Sequence, residues 1–234
     1  GARKIGPAIA AGCTMVLKPA QLTPLSSNAL AAILEEAGLP GGVLNVITSS
    51  SASRVVGPLM ADSRLRKISF TGSTPVGRAL FADASQNLLR MSMELGGNAP
   101  FIVCEDADLD LAVEQAVIAK MRNMGQSCVA ANRFYVHERL QDQFAADLGR
   151  RLGELTVGRG TEDGVDVGPL IDARQRTKVA ELVEDAIGHG ASVVTGGRAA
   201  SDAGLSDGYF WEPTVLNDVP VQSQMHSAEI FGPV

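Results

Sequence analysis

The sequence has few of the residues that mark specialised classes of protein. Its three cysteines in 234 residues are too few for a disulfide framework, which indicates a reducing, cytoplasmic location. The three histidines are scattered, with no cysteine or carboxylate at ligand spacing, so we expect no metal site. No apolar run has the length of a membrane span and no signal peptide opens the chain, so we expect no membrane partner.

An excess of basic residues is also lacking. The chain carries 20 basic and 26 acidic residues, and a net charge of −6 argues against a nucleic-acid partner. A composition of 45% hydrophobic and 20% charged residues is typical of a globular protein with one large or two modest domains. The first residue is Gly1 within a helical pattern, and the last four residues read as a turn. We therefore expect a partial sequence.

The first part of the chain alternates between helical and strand patterns. Helices are predicted over 3–11, 24–37, 52–60 and 74–85, and strands over 14–17, 43–47, 67–71 and 88–93. This alternation predicts βαβ units and a parallel sheet. Ligands of such sheets bind at the carboxyl ends of the strands.

Two of these strand ends carry candidate ligand residues. Lys18 follows the first strand, and Gly72 and Ser73 follow the third. Gly72 allows close approach of the backbone, and Ser73 is able to donate to a phosphate at the start of the next helix. The spacing matches neither a dinucleotide fingerprint nor a Walker loop. The alternative interpretation is an ordinary turn in which Ser73 caps the helix.

Glu94 lies at the end of the fourth strand, directly before Leu95, Gly96 and Gly97. A carboxylate buried there would be costly without a purpose, and its desolvation would make it a stronger general base. The alternative interpretation is a partly solvated carboxylate at a strand end.

The second part of the chain has longer helices. Helices are predicted over 108–124, 139–155 and 173–189, strands over 100–104, 133–136, 192–195 and 210–216, and an exposed loop over 196–208. Cys104, at the end of the first of these strands, is predicted to belong to the core.

Cys128 lies between the first of these helices and the strand that follows it. Its neighbours Gly125, Gln126 and Ser127 are small or polar, which favours a side chain that faces a cleft. A thiolate is a strong nucleophile that forms covalent intermediates with carbonyl carbons. The alternative interpretation is a buried structural cysteine.

Taken together, five ordered motifs resemble the aldehyde dehydrogenase superfamily. They are Leu17-Lys18-Pro19-Ala20, Phe70-Thr71-Gly72-Ser73, Met93-Glu94-Leu95-Gly96-Gly97-Asn98-Ala99-Pro100, Gly125-Gln126-Ser127-Cys128, and Glu229-Ile230-Phe231-Gly232-Pro233. The resemblance covers the whole chain. The amino-acid sequences of residues 94–103 and 121–133 look most like those of the succinate-semialdehyde dehydrogenases within that superfamily.

The resemblance implies an α/β fold. It implies a Rossmann-like parallel-sheet cofactor domain over 1–95 and an α/β catalytic domain over 96–234, both truncated. The β oligomerisation extension of the family has no counterpart here. The family's Trp-Asn-Phe-Pro stretch, whose Asn contributes to the oxyanion hole, would precede Gly1. A homo-oligomer, dimer or tetramer, is implied for a full-length member.

The resemblance also implies the chemistry. Cys128 attacks an aldehyde, a hydride passes to NADP or NAD, and Glu94 activates the water that hydrolyses the thioester. The residues implied to bind the cofactor are Lys18, Gln21, Gly72, Ser73, Leu95, Glu229 and Phe231. Many NAD-specific members have Glu at the position of Gln21, so we expect NADP to be accepted here.

Succinate semialdehyde carries a carboxylate, and Arg3 and Arg122 match the arginines that bind it in the semialdehyde enzymes. Arginine suits this role because its planar group binds a carboxylate bidentately. The alternative is that each arginine forms a structural ion pair.

The semialdehyde enzymes often have a second cysteine two residues after the nucleophile, but this chain has Ala130 there.

Other functions remain open at this point. The chain could oxidise a different aldehyde, or it could be a non-catalytic relative that keeps the fold. A cofactor-independent cysteine hydrolase or acyltransferase is a third possibility. It would need a histidine as base, and none lies close to Cys128 in sequence.

Overall fold

The computed structural model describes residues 1–201 and 204–234 of the chain. Within them the chain divides into two compact units, Gly1–Leu95 and Gly96–Val234. Helices and strands alternate in the first unit, and the second unit contains both but without strict alternation. No helix in the described part is long and apolar enough to cross a membrane.

The first unit consists of two βαβ units. Its helices are α1 (Ala2–Ala10), α2 (Leu25–Glu36), α3 (Ala52–Ala61) and α4 (Thr74–Ser85), and its strands are β1 (Met15–Leu17), β2 (Leu44–Val46), β3 (Lys67–Gly72) and β4 (Arg90–Leu95). Strand β1 pairs in parallel with β2, and β3 pairs in parallel with β4. The predicted parallel pairing within βαβ units is therefore present, as two pairs of strands.

The second unit contains one parallel and one antiparallel pair of strands. Its helices are α5 (Leu109–Met121), α6 (Gln141–Gly153) and α7 (Ala173–Gly188), and its strands are β5 (Ala99–Val103), β6 (Ala131–Val136), β7 (Ser192–Thr195) and β8 (Val215–Asn217). Strands β5 and β6 are parallel and are connected through α5, whereas β7 and β8 are antiparallel. Short 3-10 segments occupy Arg122–Gly125 and Gln224–His226.

Two hydrophobic clusters hold the second unit together. One joins the buried face of α7 to the C-terminal segment through Leu170, Val179, Val183 and Ile230. The other packs α5 and α6 on β5 and β6, with Phe101 and Phe134 in tilted ring contact. Burial of apolar surface on this scale is the main stabilising contribution to such a unit. These packed clusters hold the ends of α5 and α7 in place, and with them the loops that adjoin the two helices.

Several local expectations were wrong. Cys104 is exposed because it follows the last residue of β5 and begins a turn, in which the Ala107 backbone N–H donates to its carbonyl. The predicted strand over 210–216 is reduced to β8, since Pro213 has no N–H and Thr214 N donates to Pro233 instead.

The remaining differences lie at element ends. Helix α5 ends at Met121 instead of residue 124 because the next residues turn to positive φ. Strand β4 begins at Arg90, two residues late, since Leu88 has a φ of 50°. The predicted loop over 196–208 lies partly outside the described residues, and in its described part Ala200 and Leu205 are buried against Phe210.

Candidate active site

The residues that precede Cys128 have an unusual backbone. Asn123, Met124 and Gly125 lie in the left-handed region, with φ values of 53°, 54° and 69°. Such a conformation costs a non-glycine residue about 1–3 kcal/mol, and it persists where the surroundings determine it. We call residues 122–130, between α5 and β6, the nucleophile loop.

Two long-range contacts and one contact within the loop fix its conformation. The Gln126 side chain accepts a hydrogen bond of 2.9 Å from the Ile171 N–H, and the Asn123 side chain donates to the Gln126 carbonyl at 2.9 Å. The Gly232 carbonyl lies so close to Gly125 that an added Cβ would come within 2.1 Å of its oxygen. Glycine is required here both by its positive φ and by this close approach.

Cys128 itself is exposed on the fixed loop, and it is a free thiol. The interpretation as a buried structural cysteine is therefore wrong. A nucleophilic cysteine needs at least partial exposure, and Cys128 meets this condition. Cys13 and Cys104 are also free and exposed, but neither lies on a strained loop.

The segment Glu229–Pro233 lies beside the nucleophile loop and the Gly96 turn. An added Cβ on Gly96 would come within 2.1 Å of Glu229 Oε2, so the carboxylate lies against the Gly96 backbone. Gln175 Nε2 donates to the carbonyls of Ile230 and Phe231, both at 2.9 Å. Within the second unit, the structure thus brings together Gly96 of one motif, Gly125 of the next and the segment Glu229–Pro233 of the last.

Glu229 carries a polar atom without a partner. Its Oε1 is buried and accepts no hydrogen bond among the described residues. A buried carboxylate oxygen without a donor is costly, so a donor from a bound ligand would stabilise it. Gln126 and Gly232 belong to the motifs of the sequence argument, but their contacts with the loop were not predicted, and Ile171, whose N–H binds the Gln126 side chain, lies outside every motif.

Glu94 lies in the first unit and is less buried than expected. It occupies β4 opposite Thr71 of β3, and its side chain is 46% exposed. The expected desolvation is therefore wrong, and burial does not account for a role as a base. Arg3 Nη1 lies 3.6 Å from Glu94 Oε2, which matches the structural ion pair that was the alternative for Arg3.

The cofactor candidates of the first unit lie at strand ends. Gly72 ends β3 and Ser73 is the N-cap residue of α4, but the Ser73 hydroxyl makes no capping hydrogen bond. Lys18 follows β1 and its Nζ donates to the Pro19 carbonyl at 2.7 Å. Leu95 packs against Gly77 of α4.

Gln21 lines an open polar pocket of about 450 Å³. The other lining residues are Ala20, Pro24, Thr48, Ser49 and Ser50. Gln21 and the residues after β2 therefore face the same space.

Arg122 is the first residue after α5 and is exposed. It forms no ion pair with any residue that the structure describes, unlike Arg3. The described residues also contain no group of three or more His, Cys, Asp or Glu that could hold a metal ion.

Known proteins are similar in sequence to this chain over almost its full length. Succinate-semialdehyde dehydrogenase of Paenarthrobacter nicotinovorans is 58% identical over 232 residues, which cover 99% of this chain and 51% of that protein. Glutarate-semialdehyde dehydrogenase of Pseudomonas putida is 51% identical over 232 residues, covering 99% of this chain and 47% of that protein. The chain therefore spans about half the length of these curated relatives.

Solved structures agree with the fold. A crystal structure of an Escherichia coli NADP-dependent enzyme has a TM-score of 0.94 and 50% identity, and the match covers 99% of this chain and 47% of that one. Betaine aldehyde dehydrogenase from Staphylococcus aureus, solved in complex with NAD+, has a TM-score of 0.92 and 34% identity, with 99% and 46% covered. The model of the aldehyde dehydrogenase family matches residues 1–234. With this match and the α/β fold of its solved relatives, the chain belongs to the aldehyde dehydrogenase family.

Proposed function

We propose that the protein is an NAD(P)-dependent aldehyde dehydrogenase that oxidises succinate semialdehyde to the dicarboxylate. The observation that carries the proposal is the exposed Cys128 thiol on a strained loop, held against the segment that contains Glu229. We assign residues 1–95 to cofactor binding and residues 96–234 to catalysis. Family membership and the 58% identical relative support the choice of reaction.

The reaction begins with attack of the Cys128 thiolate on the aldehyde carbon. The oxyanion that forms accepts a hydrogen bond from the Cys128 backbone N–H, and one such donor typically stabilises a transition state by about 3–4 kcal/mol. A bound nicotinamide would accept the hydride, which leaves a thioester on Cys128. Glu94 then takes a proton from water, whose oxygen attacks the thioester and releases the carboxylate and the thiol.

The residues present fit a dinucleotide in both units. In the second, the buried Glu229 Oε1 has no donor among the described residues, and a ribose hydroxyl would provide one. Phe231, two residues further along the chain, belongs to the same proposed set. In the first, the free Ser73 hydroxyl and the Gly72 backbone at the start of α4 suit a pyrophosphate. Lys18, Gln21 and Leu95 complete the proposed set, with NADP or NAD as the cofactor.

Arg122 and Arg3 are proposed to bind the substrate carboxylate. Arg122 is exposed and without an ion pair in the described part of the chain, so its guanidinium is available. Arg3 is 82% exposed and already has Glu94 as a neighbour. A substrate carboxylate on Arg3 would therefore compete with Glu94, and this competition would release the base when the correct substrate binds.

Glutarate semialdehyde is the second candidate substrate, because a relative named for it is 51% identical over the same residues. It differs from succinate semialdehyde by one methylene, a difference typically worth about 1–3 kcal/mol in a shaped pocket. The ratio of kcat/KM for the two aldehydes decides between them. A higher value for the longer aldehyde would reassign the substrate and leave the reaction unchanged.

The experiment that tests the reaction uses the protein expressed from its complete coding region. Succinate semialdehyde and NADP or NAD are supplied, and the absorbance of the reduced cofactor is followed. Cys128→Ala should abolish turnover, whereas Cys104→Ala should retain it because Cys104 lies in a surface turn. Turnover by Cys128→Ala at the wild-type rate would refute the proposal, as would a wild type that reduces no cofactor.

The substrate assignment is tested by Arg122→Ala. The KM for succinate semialdehyde should rise by at least about tenfold, and the KM for uncharged butanal should stay close to the wild-type value. Arg159→Ala, at another exposed arginine of the second unit, is the matched control. An equal effect of Arg122→Ala on both aldehydes would contradict a role in carboxylate binding.

The homo-oligomeric assembly and the cytoplasmic location remain predictions. The first rests on the family and the second on the low cysteine content. Light scattering of the purified protein and fractionation of the host cell would test them.

A further inference from the structure

A lysine is buried directly beneath the nucleophile loop. Lys120, the last residue but one of α5, is 1% exposed. Lysine is almost never fully buried unless it has a partner, because its ammonium group loses its hydration there. No proposed step of the reaction uses Lys120, so its burial needs a separate explanation.

The partner of Lys120 lies at the other end of the loop. Its Nζ donates a hydrogen bond of 2.7 Å to Oδ1 of Asn132, the second residue of β6. Lys120 and Asn132 are 12 residues apart and flank the whole nucleophile loop. The bond therefore joins the end of α5 to the start of β6 at the base of the loop.

The same side chain contacts the strained turn. Lys120 Cε lies 3.2 Å from the position that a Cβ on Gly125 would take, and the Gly232 carbonyl is also in contact there. Lys120 thus touches the left-handed segment and, through Asn132, anchors the strand that follows Cys128. A loop fixed in this way keeps its thiol in one position.

We propose that Lys120 and Asn132 form a clasp that positions Cys128. Both are positioning residues, since they act through the loop and do not touch the reacting atoms. The inference rests on the proposed function, because holding the thiol is useful when Cys128 is the nucleophile. A structural role in folding is the competing explanation.

Activity and stability separate these explanations. Lys120→Met keeps the length of the side chain and removes the amino group. The change relieves the desolvation of a buried amino group, but it also leaves Asn132 Oδ1 without its donor, so these two effects on stability oppose each other. A positioning role predicts slower chemistry in the folded protein, whatever the change in melting temperature. A folding role predicts a lower melting temperature and wild-type chemistry in the folded fraction.

The direct readout is alkylation of Cys128 by iodoacetamide, followed by peptide mass spectrometry in the protein from its complete coding region. Cys13 and Cys104, both exposed, serve as internal controls in the same samples. Lys120→Met and Asn132→Ala should each lower the Cys128 rate constant and kcat by about tenfold or more. The double variant should be no slower than the slower single variant, since both changes break one bond. Lys178→Met, on α7, should match the wild type.

The outcomes are distinct. Wild-type alkylation and kcat in Lys120→Met would overturn the clasp while Cys128 remains the nucleophile. Additive losses in the double variant would also overturn it, because the two residues would then act separately. If Cys128→Ala retains turnover, the proposed function fails first. A lower melting temperature with unchanged Cys128 reactivity would assign Lys120 to folding and reject the positioning role.

Discussion

The nucleophile loop of the second unit and the strand ends of the first unit present their side chains in different ways. The loop has three successive residues with positive φ, and contacts from Ile171, Gly232 and Lys120 hold it. The strand ends present exposed groups, such as Gln21 and Ser73, with few partners of their own. A covalent reaction depends on the exact position of one atom, whereas a reversibly bound cofactor is held by many weak contacts. We therefore expect changes in the loop to act steeply and changes at Gln21 and Ser73, which are proposed to bind the cofactor, to act gradually.

The two units also differ in their packing. The clusters of buried residues found in the described part of the chain lie in the second unit, the two larger ones around α7 and around α5 and α6. In the first unit the described core residues are Ile5, Leu17, Met60 and Ala84. Strain in a loop persists only where the surroundings over-determine it, and the second unit provides such surroundings. The strained cysteine loop lies in the better-packed unit because packing from the surroundings maintains its conformation.

Glu94→Gln separates the proposed role of Glu94, in the first unit, from that of Cys128, in the second. Of the variants considered, it should lower turnover the most. Acylation of Cys128 should continue, but loss of a general base should slow deacylation by on the order of 10²–10⁴-fold. Rapid-mixing measurements should show a burst of reduced cofactor followed by a slow phase. Glu35→Gln, on the surface of α2, should show neither the burst nor the slow phase. Full steady-state turnover of Glu94→Gln would remove Glu94 from the reaction.

Gly125→Ala tests the rigidity of the loop. The added methyl group would overlap the Gly232 carbonyl at 2.1 Å and would force an alanine to a φ of 69°. A displacement of Cys128 by about 1 Å can lower kcat/KM by on the order of 10²-fold. Gly160→Ala is the control, because Gly160 has no atom within 4 Å of the added group and no positive φ. Equal kcat/KM values for the two variants would show that the loop tolerates movement.

The pH dependence of stability tests the burial of Lys120. Burial lowers the pKa of Lys120 to about 7 from 10.5, and desolvation is the only cause. Its hydrogen-bond partner Asn132 is neutral, and no carboxylate pairs with Lys120 in the described residues. The unfolded chain therefore binds more protons than the folded one between about pH 7 and 10.5. Stability should rise with pH across this window and be lost as pH falls towards 7.

The ionisation of Lys120 should raise the free energy of unfolding by about 1.4 kcal/mol per pH unit within this window. Urea unfolding of the wild type and of Lys120→Met, compared between pH 7 and 9, measures it. The difference between the two proteins should change with this slope, whereas Lys178→Met should follow the wild type. A constant difference across the range would mean that Lys120 keeps its proton in the folded state.

Gln21→Glu tests the open strand ends and should have the smallest effect. A carboxylate there would bind the ribose hydroxyl of NAD and repel the 2′-phosphate of NADP, shifting the ratio of kcat/KM values towards NAD by about tenfold. Ser49 and Ser50 line the same pocket, so Ser50→Glu is the matched variant. If the ratio of kcat/KM for NAD to that for NADP changes in Ser50→Glu but not in Gln21→Glu, the residues after β2 determine the cofactor preference. A wild type that rejects NADP would contradict the expectation for Gln21.

The sequence by itself determined the alternation of elements and the family. The order of helices and strands follows from local periodicity and from glycine and proline at helix ends, which need no distant contact. Helix α4 and strand β7 have the predicted bounds, and the predicted parallel pairing is found in β1–β2 and β3–β4. Five short motifs in order were enough to indicate the aldehyde dehydrogenase family, to which the chain belongs.

Tertiary structure alone decided burial and the surroundings of the site. Cys104 was predicted in the core and Glu94 as desolvated, but both are exposed, because burial depends on what packs from elsewhere in the chain. The contact of Gly125 with Gly232 joins residues far apart in sequence, and the Lys120–Asn132 bond spans the loop. Neither contact could be predicted from the spacing of residues along the sequence, because that spacing carries no information about which distant group lies close in the folded chain.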